Sequence, residues 1–110
     1  MNALSSEALA AALSQTQSPL LLDVRRAAAR TRSGFQIPGA VWRDPALWLD
    51  WKDQMATSGP VVLYCAHGQE ISQALTTALQ VLGADAKYLQ GGFEAWTAGG
   101  GASEPVATTA

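Results

Sequence analysis

The chain has 110 residues, 48% hydrophobic and 15% charged, with a formal net charge of -2. This length and apolar content predict one domain with its own core, and the slight negative charge excludes a general basic surface for nucleic acid. One cysteine and one histidine exclude an internal disulfide and supply too few ligands for a multi-cysteine metal site. The N-terminal residues lack the pattern of a signal peptide or membrane span, so we expect a cytoplasmic protein.

The first quarter of the chain predicts a helix and then a buried strand. Residues 5–13 begin with two serines, place Glu7 in the first turn and repeat leucine at a four-residue interval, as a short amphipathic helix does. The apolar run from Leu20 to Val24 is typical of a parallel strand covered on both faces. Asp23 and Arg25 at its end are interpreted chiefly as a structural pair, because buried charges need partners, with a role in a site as the alternative.

The next segment predicts a helical turn, a brief strand and a tryptophan-rich helix. Residues 26–36 are rich in alanine and arginine, and the arginines favour a solvated surface. Residues 37–40 form a predicted turn, and residues 40–42 a third strand that is followed by Arg43. Asp44 is the expected N-cap of a helix from Pro45 to about Ala56. We expect its tryptophans to pack in the core or form a docking face rather than line a ligand pocket.

The central stretch places the only cysteine between a strand and a helix. Residues 60–64 are a continuous apolar run and predict a buried parallel strand that ends at Cys65. Residues 72–82 carry apolar side chains at helical spacing, so residues 66–71 form a predicted loop that leads into a helix. Because a helix N-terminus favours negative charge, we expect a lowered thiol pKa and a stabilised thiolate. A buried core cysteine is the alternative.

The last part of the chain predicts one more strand and helix. Gly83 is the expected left-handed residue after the helix, residues 86–89 form a short strand, and residues 90–92 turn into a helical segment at 93–96. From Gly99 the composition is too poor in large apolar groups to fold alone. We therefore predict a single domain over residues 1–98 and a flexible tail over residues 99–110.

Alternating strands and helices predict an α/β sheet with helices on both faces. Binding sites in such sheets lie at the carboxyl ends of the strands. Four predicted strand ends should therefore converge on one edge, and they carry Asp23 with Arg25, Arg43, Cys65, and residues 90–92.

Four motifs, in their order and spacing along nearly the whole chain, resemble those of the single-domain rhodaneses. These are sulfurtransferases that carry sulfur as a cysteine persulfide. The matching residues are Leu22-Asp23-Val24-Arg25, Ile37-Pro38-Gly39-Ala40, Val62-Leu63-Tyr64-Cys65 with Gly68, and Tyr88-Leu89-Gln90-Gly91-Gly92-Phe93 with Trp96.

The resemblance implies a three-layer α/β/α fold with a five-stranded parallel sheet, in the order 3-2-4-5-1, and a very short first strand near Ala3. It implies that Cys65 is the nucleophile, that Asp23, Arg25 and Arg43 support the rim, and that no metal or other cofactor is needed. The implied partners are a small-molecule sulfur donor such as thiosulfate, a thiol or cyanide acceptor, or a protein persulfide, with neither nucleic acid nor membrane. The implied substrate-binding loop consists of Ala66, His67, Gly68, Gln69, Glu70 and Ile71.

Two loop positions depart from the common family pattern, in which many members have arginine, often followed by serine, where Glu70 and Ile71 stand. An acid at position 70 repels thiosulfate and raises the pKa of a nearby thiol. A less charged or protein-bound persulfide donor fits such a loop better. His67 either donates a proton or hydrogen bond to substrate or shapes the loop.

Two other functions compete with sulfur transfer. Phosphatases of this fold need an arginine six residues after the cysteine to bind the phosphoryl group, and Ile71 stands there. A non-catalytic rhodanese-like interaction or regulatory module fits Glu70 and the tryptophan-rich helix, although such modules typically lose the cysteine that this chain keeps.

Overall fold

The computed structural model of the protein describes residues 2–54 and 59–106. The strands are β1 (Ala3–Leu4), β2 (Leu20–Asp23), β3 (Phe35–Gln36), β4 (Val41–Trp42), β5 (Pro60–Tyr64), β6 (Asp85–Leu89) and β7 (Glu104–Pro105). The α-helices are α1 (Ser6–Leu13), α2 (Ala27–Ser33), α3 (Trp48–Trp51), α4 (Glu70–Val81) and α5 (Gly92–Ala98).

Five of the strands form one parallel sheet in the order β1-β6-β5-β2-β4. When only these five strands are numbered in chain order and the sheet is read from the β4 edge, the order is 3-2-4-5-1. The predicted strand order is therefore confirmed. Strand β5 is central, and its Leu63 lies opposite Leu22 of β2 and Tyr88 of β6. Cys65 follows β5 directly, so the cysteine lies at the middle of the carboxyl edge.

Alternate residues of β5 enter two separate hydrophobic cores. Leu63 packs in a core with α3 and α4, whereas Tyr64 packs on the opposite face with α1 and α5. Leu9 of α1 and Leu79 of α4 are both fully buried. Because both faces of β5 are covered, apolar residues follow one another without alternation, as the sequence predicted. The packing gives three layers, with helices on both sides of the sheet.

The tryptophan-rich segment is less regular than predicted. A 3₁₀ turn at Pro45–Leu47, helix α3 and a second 3₁₀ turn at Lys52–Gln54 replace one long helix, and the predicted end at Ala56 lies outside the described residues. Asp44 is the N-cap, as predicted, since its carboxylate accepts the Ala46 N–H at 3.0 Å. Trp51 is buried and meets Trp48 edge to face at 4.8 Å between ring centroids. The expected core role of these two rings is confirmed.

Residues 99–106 depart from the flexible tail predicted from composition. Strand β7 pairs antiparallel with β3, and the Val106 N–H donates to the Gly34 carbonyl at 3.0 Å. The Trp96 indole N–H donates to the Ala102 carbonyl at 2.7 Å. Backbone and indole hydrogen bonds of this kind need no apolar periodicity, so composition alone does not reveal them.

Helix α4 begins at Glu70, two residues before the predicted start. The loop after Cys65 is correspondingly short.

No helix within residues 2–54 and 59–106 has the length and apolar character that a membrane span requires.

Candidate active site

The Cys65 thiol lies at the end of the central strand, below the first turn of α4. Only 6% of the residue is exposed. Its Sγ is 3.1 Å from the Ser72 Oγ. The backbone N–H groups of His67, Gln69 and Ser72 also favour the thiolate form of the sulfur. These donors come from the loop and from the N-terminal turn of α4, so the strand-to-helix connection surrounds the sulfur with hydrogen-bond donors.

Two opposing effects act on the pKa of Cys65. Burial raises the pKa, because it disfavours the charged thiolate, whereas the Ser72 hydroxyl and the three backbone N–H groups lower it by bonding to the anion. The hydrogen bonds prevail, and the pKa lies below the ordinary value of a thiol. The direction agrees with the lowered pKa expected from the sequence, and Glu70 is not among the groups that shift the pKa.

Two glycines allow the cysteine loop to pack against the start of α5. A Cβ atom on Gly68 would lie 2.6 Å from the Gly91 nitrogen, and one on Gly92 would lie 2.5 Å from the Cys65 carbonyl oxygen. Both residues also have positive φ, of 69° and 63°. This close approach lets the N–H of Phe93 donate to the Cys65 carbonyl at 2.9 Å. The turn after β6 thereby holds the backbone of Cys65 in place.

A cavity of about 400 Å³ opens above Cys65. Five of the six predicted loop residues line it, and Gly68 instead lies beneath, against Gly91. The cavity lining consists of Arg25, Arg26, Ala29, Cys65, Ala66, His67, Gln69, Glu70 and Ile71. This volume is in the range of small-molecule binding pockets.

Asp23 and Arg25 form the buried ion pair that the sequence predicted. The Asp23 carboxylate accepts the Arg25 backbone N–H at 3.0 Å and the Nη2 of its guanidinium at 2.7 Å. Nη2 also donates to the Phe35 carbonyl at 2.7 Å, and the guanidinium carbon lies 4.6 Å from the centroid of the Phe93 ring. The pair thus fixes the wall of the cavity, and most donors of Arg25 already have partners.

The structure does not bring Arg43 to the cavity. Its backbone N–H donates to the Asp23 carbonyl at 2.9 Å, and its side chain contacts the Trp42 carbonyl at 3.4 Å. Arg26 and Ala29 line the cavity instead, because α2 lies over the carboxyl edge. Sequence reasoning missed these two residues and the role of Ser72. The position of Arg26 directly after the Asp23–Arg25 motif was the available signal.

His67 and Glu94 form an exposed pair at the mouth of the cavity. The His67 Nδ1 lies 2.5 Å from the Glu94 Oε2, and the two side chains are 64% and 69% exposed. The Glu94 backbone N–H also donates to the Ala66 carbonyl at 3.0 Å. Helix α5 therefore holds the loop through both its backbone and a side chain.

Side chains that could bind a metal ion are not clustered in the described part of the chain. Among the described residues, no group of three or more histidine, cysteine, aspartate or glutamate side chains is placed to hold an ion. The site therefore consists of a cysteine of lowered pKa at the carboxyl edge of a three-layer α/β domain, with hydrogen-bond donors around its sulfur.

The family follows from comparison of the whole sequence. The model of the rhodanese-like domain family matches residues 5–99, and the chain belongs to that family. No curated protein matches the sequence.

Solved structures support the same fold. A rhodanese-related protein from Thermoplasma volcanium is 18% identical, with a TM-score of 0.82 over 94% of this chain and 98% of its own. A protein of unknown function from Rhodopseudomonas palustris, described as a possible tyrosine phosphatase, is 24% identical to this chain. Its TM-score is 0.82, and the match covers 94% of this chain and 85% of that protein.

A thiosulfate sulfurtransferase from Pseudomonas aeruginosa is 25% identical to this chain, with a TM-score of 0.77. The match covers 94% of this chain but 19% of that protein, so the similarity extends to one part of a longer molecule.

Proposed function

We propose that the protein is a sulfurtransferase that carries a sulfane sulfur as a persulfide on Cys65. The observation that carries this proposal is the environment of the thiol. Its sulfur has a lowered pKa, several hydrogen-bond donors around it and an open cavity of about 400 Å³ above it. A core cysteine needs none of these features, whereas a thiolate nucleophile needs all three.

The first step loads the cysteine. The Cys65 thiolate attacks the sulfane sulfur of the donor, an S–S bond forms, and the bond between that sulfur and the rest of the donor breaks. The leaving group keeps the bonding electrons, as sulfite from thiosulfate or as a thiolate from a persulfide. The backbone N–H groups of His67, Gln69 and Ser72 stabilise the anionic sulfur.

The second step unloads the cysteine. Cyanide or a thiolate attacks the terminal sulfur of the persulfide, and the Cys65 thiolate leaves with the bonding electrons. The product is thiocyanate or a new persulfide. Neither step needs an external oxidant or reductant, because the sulfur passes as a neutral atom from one nucleophile to the next.

Glu70 bears on the choice of donor. Glu70 lines the cavity that opens above Cys65, so its charge repels the doubly charged thiosulfate ion more than it repels a thiol persulfide. We therefore favour a persulfide donor, either a small molecule or a protein, over thiosulfate.

Mass spectrometry of the loaded protein tests the function. The protein is incubated with thiosulfate or, separately, with glutathione persulfide. We expect one additional sulfur atom on wild type, its release by cyanide as thiocyanate, and no such gain in Cys65→Ser. If neither donor leaves a cyanide-removable sulfur on Cys65, the proposal is wrong.

A non-catalytic interaction module is the second candidate. Its specific support is the exposure of two large apolar side chains near α3, Leu47 at 52% and Leu49 at 77%. The same mass spectrometry separates the candidates, since a module of this kind has no need to form a persulfide.

Phosphate ester hydrolysis has weaker support. The phosphoryl group would need a bidentate cation above Cys65, and the sixth residue after the cysteine is Ile71, which lines the cavity with an apolar side chain.

A further inference from the structure

The charges around the Cys65 cavity are of two kinds. Some already have a partner within the protein: Arg25 is paired with the buried Asp23, and the Glu94 carboxylate contacts His67. A substrate gains little from these groups, because their partners already satisfy them.

Arg26 and Glu70 are of the other kind. Both are exposed and both line the cavity, and neither forms a salt bridge within residues 2–54 and 59–106. They do not pair with each other either, although they have opposite charge. Arg26 also lines an adjoining groove with Asp44, but the Asp44 carboxylate caps the following turn through the Ala46 N–H at 3.0 Å. The cavity therefore offers one available cation and one available anion.

The elements that carry these two charges are different. Arg26 is the N-cap residue of α2, whereas Glu70 is the first residue of α4. Cys65 and Glu70 lie on the connection from β5 to α4, whereas Arg26 precedes α2, so the sulfur and the two charges come from two segments that meet at one cavity. A ligand with both a cationic and an anionic group could contact both charges while its sulfur faces Cys65.

The geometry points to a zwitterionic α-amino-acid persulfide as the sulfur donor, with its carboxylate on Arg26 and its ammonium group on Glu70. This inference rests on the proposed sulfurtransferase function and specifies its substrate class. In cysteine persulfide, the amine and the carboxylate are attached to the carbon next to the one that bears sulfur. Such a donor therefore carries both charges close to the sulfur that Cys65 attacks. A cavity of about 400 Å³ has room for a molecule of this size.

The transfer step is balanced for this donor. The Cys65 thiolate attacks the outer sulfur of the protonated persulfide, R–S–SH, and the S–S bond of the donor breaks. The products are Cys65–S–SH and the amino-acid thiolate R–S⁻, so one negative charge stands on each side and the proton stays on the outer sulfur. The leaving thiolate takes up a proton from water.

The test combines donors that lack one charge with variants that lack the matching partner. Cysteine persulfide carries both charges, N-acetylcysteine persulfide lacks the ammonium group, and cysteamine persulfide lacks the carboxylate. The initial rate of persulfide formation on Cys65 is measured by mass spectrometry for each donor with wild type, Glu70→Gln and Arg26→Gln.

We expect each variant to lose selectivity for the group that it contacts. Glu70→Gln should lower the rate with cysteine persulfide relative to N-acetylcysteine persulfide about fivefold, the size of an exposed ion pair. Arg26→Gln should lower the rate with cysteine persulfide relative to cysteamine persulfide by a similar factor. Arg32→Gln and Glu7→Gln are matched controls at exposed positions outside this cavity, and they should leave both ratios unchanged.

Two results would overturn the inference in distinguishable ways. If wild type and both variants accept the three donors with the same relative rates, the zwitterion site is wrong while the sulfurtransferase function stands. If no donor loads Cys65 in wild type, both the zwitterion site and the sulfurtransferase function are wrong.

Discussion

Two side-chain pairs lie at the carboxyl edge of the same sheet, the ion pair of Asp23 with Arg25 and the contact of His67 with Glu94, and they differ in almost every physical respect. Asp23 and Arg25 are 0% and 2% exposed, and their carboxylate and guanidinium meet through several hydrogen bonds. His67 and Glu94 are mostly exposed and meet through a single contact. The buried pair belongs to the framework of the site, whereas the exposed pair belongs to its mouth.

The difference indicates that one sheet edge combines a buried pair that is held rigidly with an exposed pair whose side chains can change partners. A buried charge that loses its partner stays in a medium of low dielectric constant, and it is therefore strongly destabilised. An exposed charge that loses its partner returns to water at little cost. Substitutions in the buried pair should consequently lower the free energy of unfolding strongly, and substitutions in the exposed pair should change it little.

The largest effect is expected when the buried pair is broken. Asp23→Ala leaves the Arg25 guanidinium with the Phe35 carbonyl and two aromatic rings, so the free energy of unfolding should fall by about 3–5 kcal/mol. Urea denaturation measures it. Asp53→Ala, which removes the exposed partner of Lys52, is the matched control and should cost less than about 1 kcal/mol.

If Asp23→Ala does not fold, Asp23→Asn gives the same test with a smaller perturbation. A loss below about 1 kcal/mol in either variant would contradict the structural role of the buried pair.

An intermediate effect is expected from the Ser72 hydroxyl, which contacts the Cys65 sulfur. Ser72→Ala removes the Oγ at 3.1 Å from the Cys65 sulfur, so the pKa of the thiol should rise. The rate of alkylation by iodoacetamide near neutral pH should fall roughly tenfold, because a hydrogen bond to a charged group contributes about 1.5 kcal/mol. Its pH profile should move to higher pH.

Thr76→Val is the control for this variant. Thr76 is one turn further along α4, and its buried hydroxyl has no hydrogen-bond partner among the described residues. Its removal should leave the alkylation rate unchanged. An equal slowing in both variants would attribute the effect to helix packing rather than to the bond with sulfur.

The lowered pKa of Cys65 also gives a direction for stability against pH. The thiolate is favoured in the folded protein relative to the unfolded chain, so its contribution is complete above the ordinary thiol pKa. It is lost as the pH falls through the lower, folded value. Cys65→Ser lacks this ionisation, so the difference in unfolding free energy between wild type and variant should decrease as the pH falls.

The smallest effect is expected at the exposed pair. Glu94→Gln keeps the backbone bond to Ala66 and loses only the charge beside His67, so the free energy of unfolding should fall by less than about 1 kcal/mol. Urea denaturation in low and high salt measures it, since salt screens an exposed pair. A salt-independent loss of several kcal/mol would mean that the two pairs do not differ as described.

Much of the fold could be predicted from local patterns. Continuous apolar runs at β2 and β5 reflect strands that are covered on both faces, and the helical spacing after Cys65 reflects the buried side of α4. The very short strand β1 was expected only through the family resemblance. The pairing of β3 with β7 was not predicted, because two-residue strands have no periodicity of their own.

The candidate site, like the fold, was predicted only in part from the sequence. The position of Cys65 between a strand and a helix determined that backbone donors surround its sulfur, and the spacing of Asp23 and Arg25 put both on one side of their strand. Only the tertiary structure decided that Arg26 and not Arg43 reaches the cavity, since this depends on where α2 lies over the sheet.

The sequence by itself determined the order of the elements, the central cysteine and its helix N-terminus, because these follow from local periodicity and chain connectivity. Only the tertiary structure decided which side chains share the space above the sulfur. That choice depends on packing between segments far apart in the chain, and single-residue patterns carry no measure of such distances.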